Sequence, residues 1–214
     1  MEMFKHVMRI GSMVLGVMAL STAGACLAQT SSAAATKQAA RTLASSVCAH
    51  CHGPEGRSTD PAIPRIAGQQ RAYLEVQLKA FATKRRSDPE AHEYMWGITA
   101  AWLNDQLMTD IADYFASQSP APGKPGDAAV VTRGKELFEK GSPDRGVPAC
   151  AGCHGANAEG LSVFPRLAGQ HAQYLTRQMQ MLRVRLRDSP VMHGVVKDLT
   201  DEEVAALATY LQSK

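Results

Sequence analysis

The 214-residue chain carries 23 Lys and Arg against 20 Asp and Glu, a formal net charge of +3. Setting aside residues 1–28, which hold Glu2, Lys5 and Arg9, leaves 21 against 19, a net +2. No basic stripe with interleaved aromatics accompanies so small an excess, which excludes nucleic acid as a partner.

Lys5, His6 and Arg9 open the chain, and Ile10 to Leu20 is an apolar run broken only by Gly and Ser. Small residues then lead to Ala28. This is the pattern of a secretory signal over residues 1–28, and it implies export to the periplasm. A membrane span needs roughly 20 apolar residues, more than this run provides. A retained N-terminal tether, or lipidation at Cys26, stays open as a route to the membrane. Residues 29–36, mostly small and polar, are expected as a flexible tail.

A first helix is predicted from about Lys37 to Val47, running into Cys48-Ala49-His50-Cys51-His52. The loop Pro64-Arg65-Ile66-Ala67-Gly68-Gln69 follows. Tyr73 to Thr83 carries apolar residues at helical three- and four-residue spacing. Lys84-Arg85-Arg86 falls at that helix's end, where cations suit the dipole. Met95 is expected in a loop before the next helix, preceded by the segment Glu90-Ala91-His92-Glu93-Tyr94. Asn104 then caps a helix over Asp105 to Ala116.

Residues 119–127, rich in Pro and Gly, cannot continue a helix and read as a linker. They divide the chain into two domains, 37–118 and 128–214. The second repeats the first. Val131 to Glu139 is the opening helix, Cys150-Ala151-Gly152-Cys153-His154 lies 102 residues after its counterpart (150 − 48), and Pro165-Arg166-Leu167-Ala168-Gly169-Gln170 matches the earlier loop. Tyr-Leu falls nine residues after each proline, at Tyr73 and Tyr174. Tyr174 to Arg185 is the matching helix, with Arg183, Arg185 and Arg187 at its end. Met192-His193-Gly194-Val195 superposes on Met95-Trp96-Gly97-Ile98, and the segment 90–94 has no counterpart. Thr200 and Glu203 form a capping box for the last helix, Asp201 to Gln212. No strand-like alternation persists, so the fold class is all-α.

In Cys-x-x-Cys-His the two thiols can add across the vinyl groups of a haem while the histidine ligates its iron. Cys48 and Cys51, and Cys150 and Cys153, are therefore candidate attachment points for two covalent haems, with His52 and His154 as ligands. Of the five cysteines, only Cys26 lies outside these pairs, so the exported chain keeps none for a disulfide. An iron that passes electrons without opening to substrate needs a second axial ligand, and a thioether raises its potential. Met108, Met179 and Met181 fall inside predicted helices, and Met179 replaces Leu78 in the repeat as core filler. Met95 and Met192 are the candidate ligands, with His92 a competitor at the first iron. His50 is expected exposed or structural, and His171 and His193 on the surface. A carbonyl of the Pro64 or Pro165 loop is the natural acceptor for each ligating imidazole's other N–H. Arg65 and Arg166 are candidates for pairing with haem propionates. Four propionates would bring the loaded chain near neutral.

With these residues in view, the sequence resembles the periplasmic two-haem class I cytochromes c of the cytochrome c4 family, over both halves from about Lys37 onward. The resemblance implies two cytochrome c domains related by a pseudo-twofold, with propionate edges facing each other. It also implies His/Met ligation at both irons and electron delivery to a terminal oxidase or another respiratory partner, such as a quinol-oxidising complex. The segment before Met95 departs from the shorter loop of that family. An electron carrier is thus the expected function, with a dedicated electron-accepting subunit of a dehydrogenase or oxidase as the alternative. An enzyme such as a di-haem peroxidase or sulfur-compound oxidase would require an open coordination site and an acid–base cluster that the sequence does not display.

Overall fold

The opening helix of each half delivers the chain to its cysteine pair. A computed structural model describes residues 34–214, so the signal segment, Cys26 and the start of the tail lie outside the described residues. Helix α1 is described from residue 34, passes through a π-helical turn at Ala44–Cys48 and ends as Ala49–His52. Then come α2 (Arg71–Ala82), α3 (π-helical over Ala91–Met95, then Trp96–Trp102) and α4 (Asp105–Ala116). The second half contains α5 (Ala128–Lys140), α6 (Ala151–His154), α7 (Ala172–Arg183), α8 (Pro190–Val196) and α9 (Asp201–Gln212). Among the described residues, β-structure is confined to isolated bridges.

Local chemistry explains the helix ends. Asn104 and Thr200 cap α4 and α9 by accepting from Leu107 N and Glu203 N, and Glu203 answers on the Thr200 amide to complete the capping box. Asp127 caps α5 by accepting from Ala129 N and Val130 N. This satisfies donors the helices leave unpaired and is worth about 1 kcal/mol at each cap. Helices α5 and α9 cross so closely at Gly134 that a Cβ there would lie 2.1 Å from the Ala206 carbonyl oxygen.

Each half has its own apolar core. The second assembles Phe138, Leu175, Leu182, Val196, Val204 and Leu207 with seven other buried residues. The first is smaller: Ala40, Ala44, Leu74, Ile111, Ala112 and Phe115.

The repeat also builds the joint between the halves. Gln69 presents its amide to the Arg166 backbone, accepting from the amide at 2.7 Å and donating to the carbonyl at 3.0 Å. Gln170 does the same to Arg65, at 2.9 and 2.8 Å. The two loops thus clasp each other through reciprocal amide pairs, and both glutamines are buried. Gly68 N and Gly169 N bond the last carbonyls of α4 and α9, at Phe115 and Leu211, each at 2.9 Å. A second joint forms where Arg86 and Arg187 meet as an antiparallel bridge and Ser87 N donates to Leu186 O at 3.3 Å. The segment without a counterpart in the repeat has a place here too. Glu90 pairs with Arg177 of the other half.

Candidate haem sites

Cys48 and Cys51 are three residues apart on helical backbone, as are Cys150 and Cys153, so both thiols of each pair point to one side. All four are free thiols, the first of each pair half-buried and the second exposed. Burial pushes the Cys48 thiol above its ordinary value and the Cys150 thiol up to about 11. A buried thiol held protonated is a weak nucleophile, so attachment to a vinyl group suits the chain before it closes around these sulfurs. Gly155 ends α6 at φ 82°, where a Cβ would lie 2.4 Å from the Glu159 carboxylate.

The histidine of each pentad is tied from behind. His52 Nδ1 lies 2.9 Å from Pro64 O, and His154 Nδ1 lies 3.0 Å from Pro165 O. These are the loops in which the sequence places the acceptors. A neutral imidazole donates from Nδ1 there and leaves Nε2 with a free lone pair. Burial lowers both pKa values, with the proline carbonyls opposing it in part, so the neutral form that a metal requires is favoured. In the second half His154 Nε2 is buried and has no hydrogen-bond partner. An unmet buried acceptor is costly, and an iron ligated there removes the cost. The donor set therefore fits a covalently held haem.

Met95 and Met192, expected in loops, are helical. Met95 closes the π-helical turn of α3, and its carbonyl accepts from Thr99 Oγ1 at 2.7 Å. Met192 is the third residue of α8, which Pro190 can start because its missing N–H falls in the first turn. Both are half-buried, and Met192 packs against the second core. π-Helical turns concentrate at functional sites; the first half has one entering its cysteine pair and one ending at its candidate methionine. Met179 packs against the second core, in keeping with its reading as filler, and Met108 is buried within α4.

Among the other histidines, His50 is exposed, and so is His92, whose ring centroid lies 4.5 Å from that of Trp96. His171 departs from its expected surface position. It is 6% exposed, and its Nε2 lies 2.9 Å from Ser58 O in the other half. His193 is half-buried, with Nδ1 3.1 Å from Leu182 O. The sequence gives no sign of this burial, because the repeat partner of His171 is Gln70, whose amide spans the same joint to Glu159 O and Gly160 O at 2.9 and 3.2 Å.

Burial and the neighbouring Arg65 charge lower the His171 pKa. A histidine held neutral in the fold contributes stability that is present above its unfolded pKa and lost as pH falls through and below that value. Acidification from about pH 7 to 5 is therefore expected to loosen the joint. His171→Gln keeps a donor without the titration. Midpoints of denaturation across that range should flatten in the variant, and an unchanged slope would rule out this residue as the cause.

The two arginines of the repeat are used differently. The Arg65 guanidinium donates to Ser58 O, Pro122 O and Gly169 O at 3.2, 3.1 and 2.7 Å, fastening loop, linker and second half. Arg166 Nε is buried without a partner. Both line a small crevice between the halves, together with Gln69, Gln170, Ala67 and Ala168.

The cytochrome c family model matches residues 38–119 and again 131–214. A cytochrome c4 from Thiocapsa roseopersicina is 39% identical over 181 residues, covering 82% of this chain and 91% of the relative. A thiosulfate dehydrogenase electron acceptor from Thiomonas intermedia is 34% identical over 208 residues, covering 92% of this chain and 90% of the relative. Among solved structures, cytochrome c4 of Acidithiobacillus ferrooxidans superposes with a TM-score of 0.74 at 36% identity, covering 78% of this chain and 98% of that one. The chain belongs to the cytochrome c family and is a tandem, two-haem protein of the cytochrome c4 type.

Proposed function

We propose that the chain is a periplasmic electron carrier whose first haem is attached at Cys48 and Cys51 between His52 and Met95, and whose second is attached at Cys150 and Cys153 between His154 and Met192. The observation that carries this reading is the duplicated imidazole geometry: each Nδ1 is tied to a proline carbonyl, and His154 Nε2 is buried and unpaired. Haem supplies a one-electron iron couple. The protein's residues fix the imidazoles as neutral ligands, exclude water through the two cores and hold the halves together. Arg166, with its unpaired buried Nε, is the better placed of the two arginines to meet a propionate, because Arg65 is directed at three carbonyls. Residues 1–28 act as the export signal. No helix of the described residues is long and apolar enough to cross a membrane.

A redox titration with optical and electron-spin detection tests this. Two low-spin irons, each with a sulfur-to-iron charge-transfer band in the ferric state, are expected. Met95→His and Met192→His should each abolish one band and lower that haem's potential by on the order of 100 mV, since thioether ligation favours the reduced iron. A high-spin iron in the unmodified protein that binds cyanide rapidly would instead indicate an enzyme.

A second reading has support in the resemblance to the Thiomonas electron acceptor: the same two-haem module serving one dedicated dehydrogenase. Recovery of a stoichiometric complex from native periplasm would favour it. Free carriage between a respiratory donor and a terminal oxidase predicts none.

A further inference from the structure

The two turns that follow α2 and α7 meet across the joint, and they hold the chain's entire positive excess. Residues 84–88 contribute Lys84, Arg85 and Arg86 against Asp88, a net +2, and residues 184–188 contribute Arg185 and Arg187 against Asp188, a net +1. Their total of +3 exceeds the +2 of residues 29–214 as a whole. The Arg86–Arg187 bridge and the bond from Ser87 to Leu186 make them one strip. Lys84, Arg85 and Arg185 are exposed on it and take part in none of the ion pairs among the described residues. Exposed Val184 and Leu186 lie between them, 61% and 42% accessible.

Two of those cations occupy backbone that resists them. Lys84 has φ 56° and Arg185 φ 60°, the left-handed region in which glycine is cheapest, and they stand at equivalent positions of the two halves. Each lies one place past a helix cap, Thr83 or Val184, where a left-handed residue stops the helix and glycine would do so without strain. The strip touches the first methionine helix, and α7, which runs into the second turn, touches the other. Trp96 Nε1 donates to Arg86 O at 2.7 Å while Lys84 sits over its ring, and His193 Nδ1 lies 3.1 Å from Leu182 O, just ahead of the second turn.

We infer that this strip is a docking surface for the acidic face of a redox protein, placed to reach either haem. The inference rests on the proposed function for the haems and adds the partner's chemistry: carboxylates opposite Lys84, Arg85 and Arg185, with an apolar centre against Val184 and Leu186. Cations ringing an apolar patch steer encounter and raise the association rate, an effect that salt screens.

Oxidised plastocyanin, a blue-copper protein with an acidic patch, is a suitable probe. One electron passes from a ferrous haem to the Cu(II), giving one ferric haem and Cu(I), with no bond made or broken; a second copper oxidises the second haem. The second-order rate of the unmodified protein should fall with ionic strength. In Lys84→Glu/Arg85→Glu/Arg185→Glu it should be about tenfold lower at low salt and converge with the unmodified rate at high salt. Lys84→Gly/Arg185→Gly relieves the strained backbone, so its melting point should hold or rise while its rate still drops. An unchanged rate in either variant overturns the proposal. So does a rate loss that tracks a lower melting point, or dependence on the three residues that appears only in binding to phosphatidylglycerol vesicles. Haem content and ligand spectra are read on the same preparations. Failure of the haem assignment therefore shows as missing pigment, and failure of the docking surface as an unchanged rate on fully pigmented protein.

Discussion

Replacing Cys48 and Cys51 together with serine is expected to damage the protein more than replacing Cys150 and Cys153. Either pair should cost one of the two pigments that survive acid–acetone extraction, because only thioether bonds resist it. The difference lies in what each half keeps. The second half retains a core with Phe138, Val147, Leu175, Leu182, Leu199, Leu207 and Leu211 buried together. In the first, half of the six core residues are alanine, leaving Leu74, Ile111 and Phe115 as the large members. A buried large apolar side chain contributes about 1.5–3 kcal/mol, so the first half has far less to fall back on when the porphyrin is gone. Loss of the first pair should remove roughly the first half's share of the helical circular dichroism. Its unfolding midpoint should fall about 10 °C below that of the other variant, the shift expected for a difference of a few kcal/mol. Equal midpoints would mean that the protein cores, and not the haems, decide the stability of the halves.

The chemistry of the sites was legible because it is local. Both pentads, the proline loops that receive the imidazole N–H groups and the caps at Asn104 and Thr200 depend on residues close in sequence, and the structure forms these contacts as the spacing predicts. The methionine segments read as loops because seven-residue helices are too short to show a period, and a π-helical turn displaces what period there is. The joint between the halves was harder to read for a different reason. Duplication revealed Gln69 with Gln170 as recurring residues, but a repeat does not say whether its members face their own half or the other. Arg65 shows the consequence: its repeat position suggested a propionate, and its guanidinium spans the boundary to Gly169 and Pro122. The segment 90–94 looked like a threat to the first iron's ligation. Besides the competing ligand His92, which is exposed, it supplies Glu90 as an interdomain contact to Arg177, a role the repeat could not show.

Asp88→Ala should be among the most destabilising single substitutions outside the haem ligands. Arg86 and Asp88 are 6% and 1% exposed and paired at 2.7 Å. Burial works against the charged guanidinium, but Tyr174, Asp88 and Tyr73 offset it, and the Arg86 pKa is raised. Arg187 joins the same cluster through Gln178 Oε1 at 2.8 Å, Tyr73 Oη at 2.7 Å and Gln77 Oε1 at 3.2 Å, with no carboxylate of its own, since Asp188 is exposed. Arg187 is half-buried, so Arg86 is the guanidinium that depends on Asp88. Removing one partner of a buried pair costs about 3–5 kcal/mol, because the remaining charge stays out of water. The charge left behind is Arg86, so a loss within that range is expected in denaturant titrations, with faster hydrogen exchange at Ser87 N, which bonds Leu186 across the joint. Asp88→Asn keeps the shape but not the charge and should fall between. Arg86→Met combined with Asp88→Leu removes the buried pair altogether and should recover most of the loss, as apolar replacements of buried ion pairs often do. If the double variant is as unstable as Asp88→Ala, the packing and hydrogen bonds of this corner matter more than its charge balance, and the electrostatic account of the joint fails.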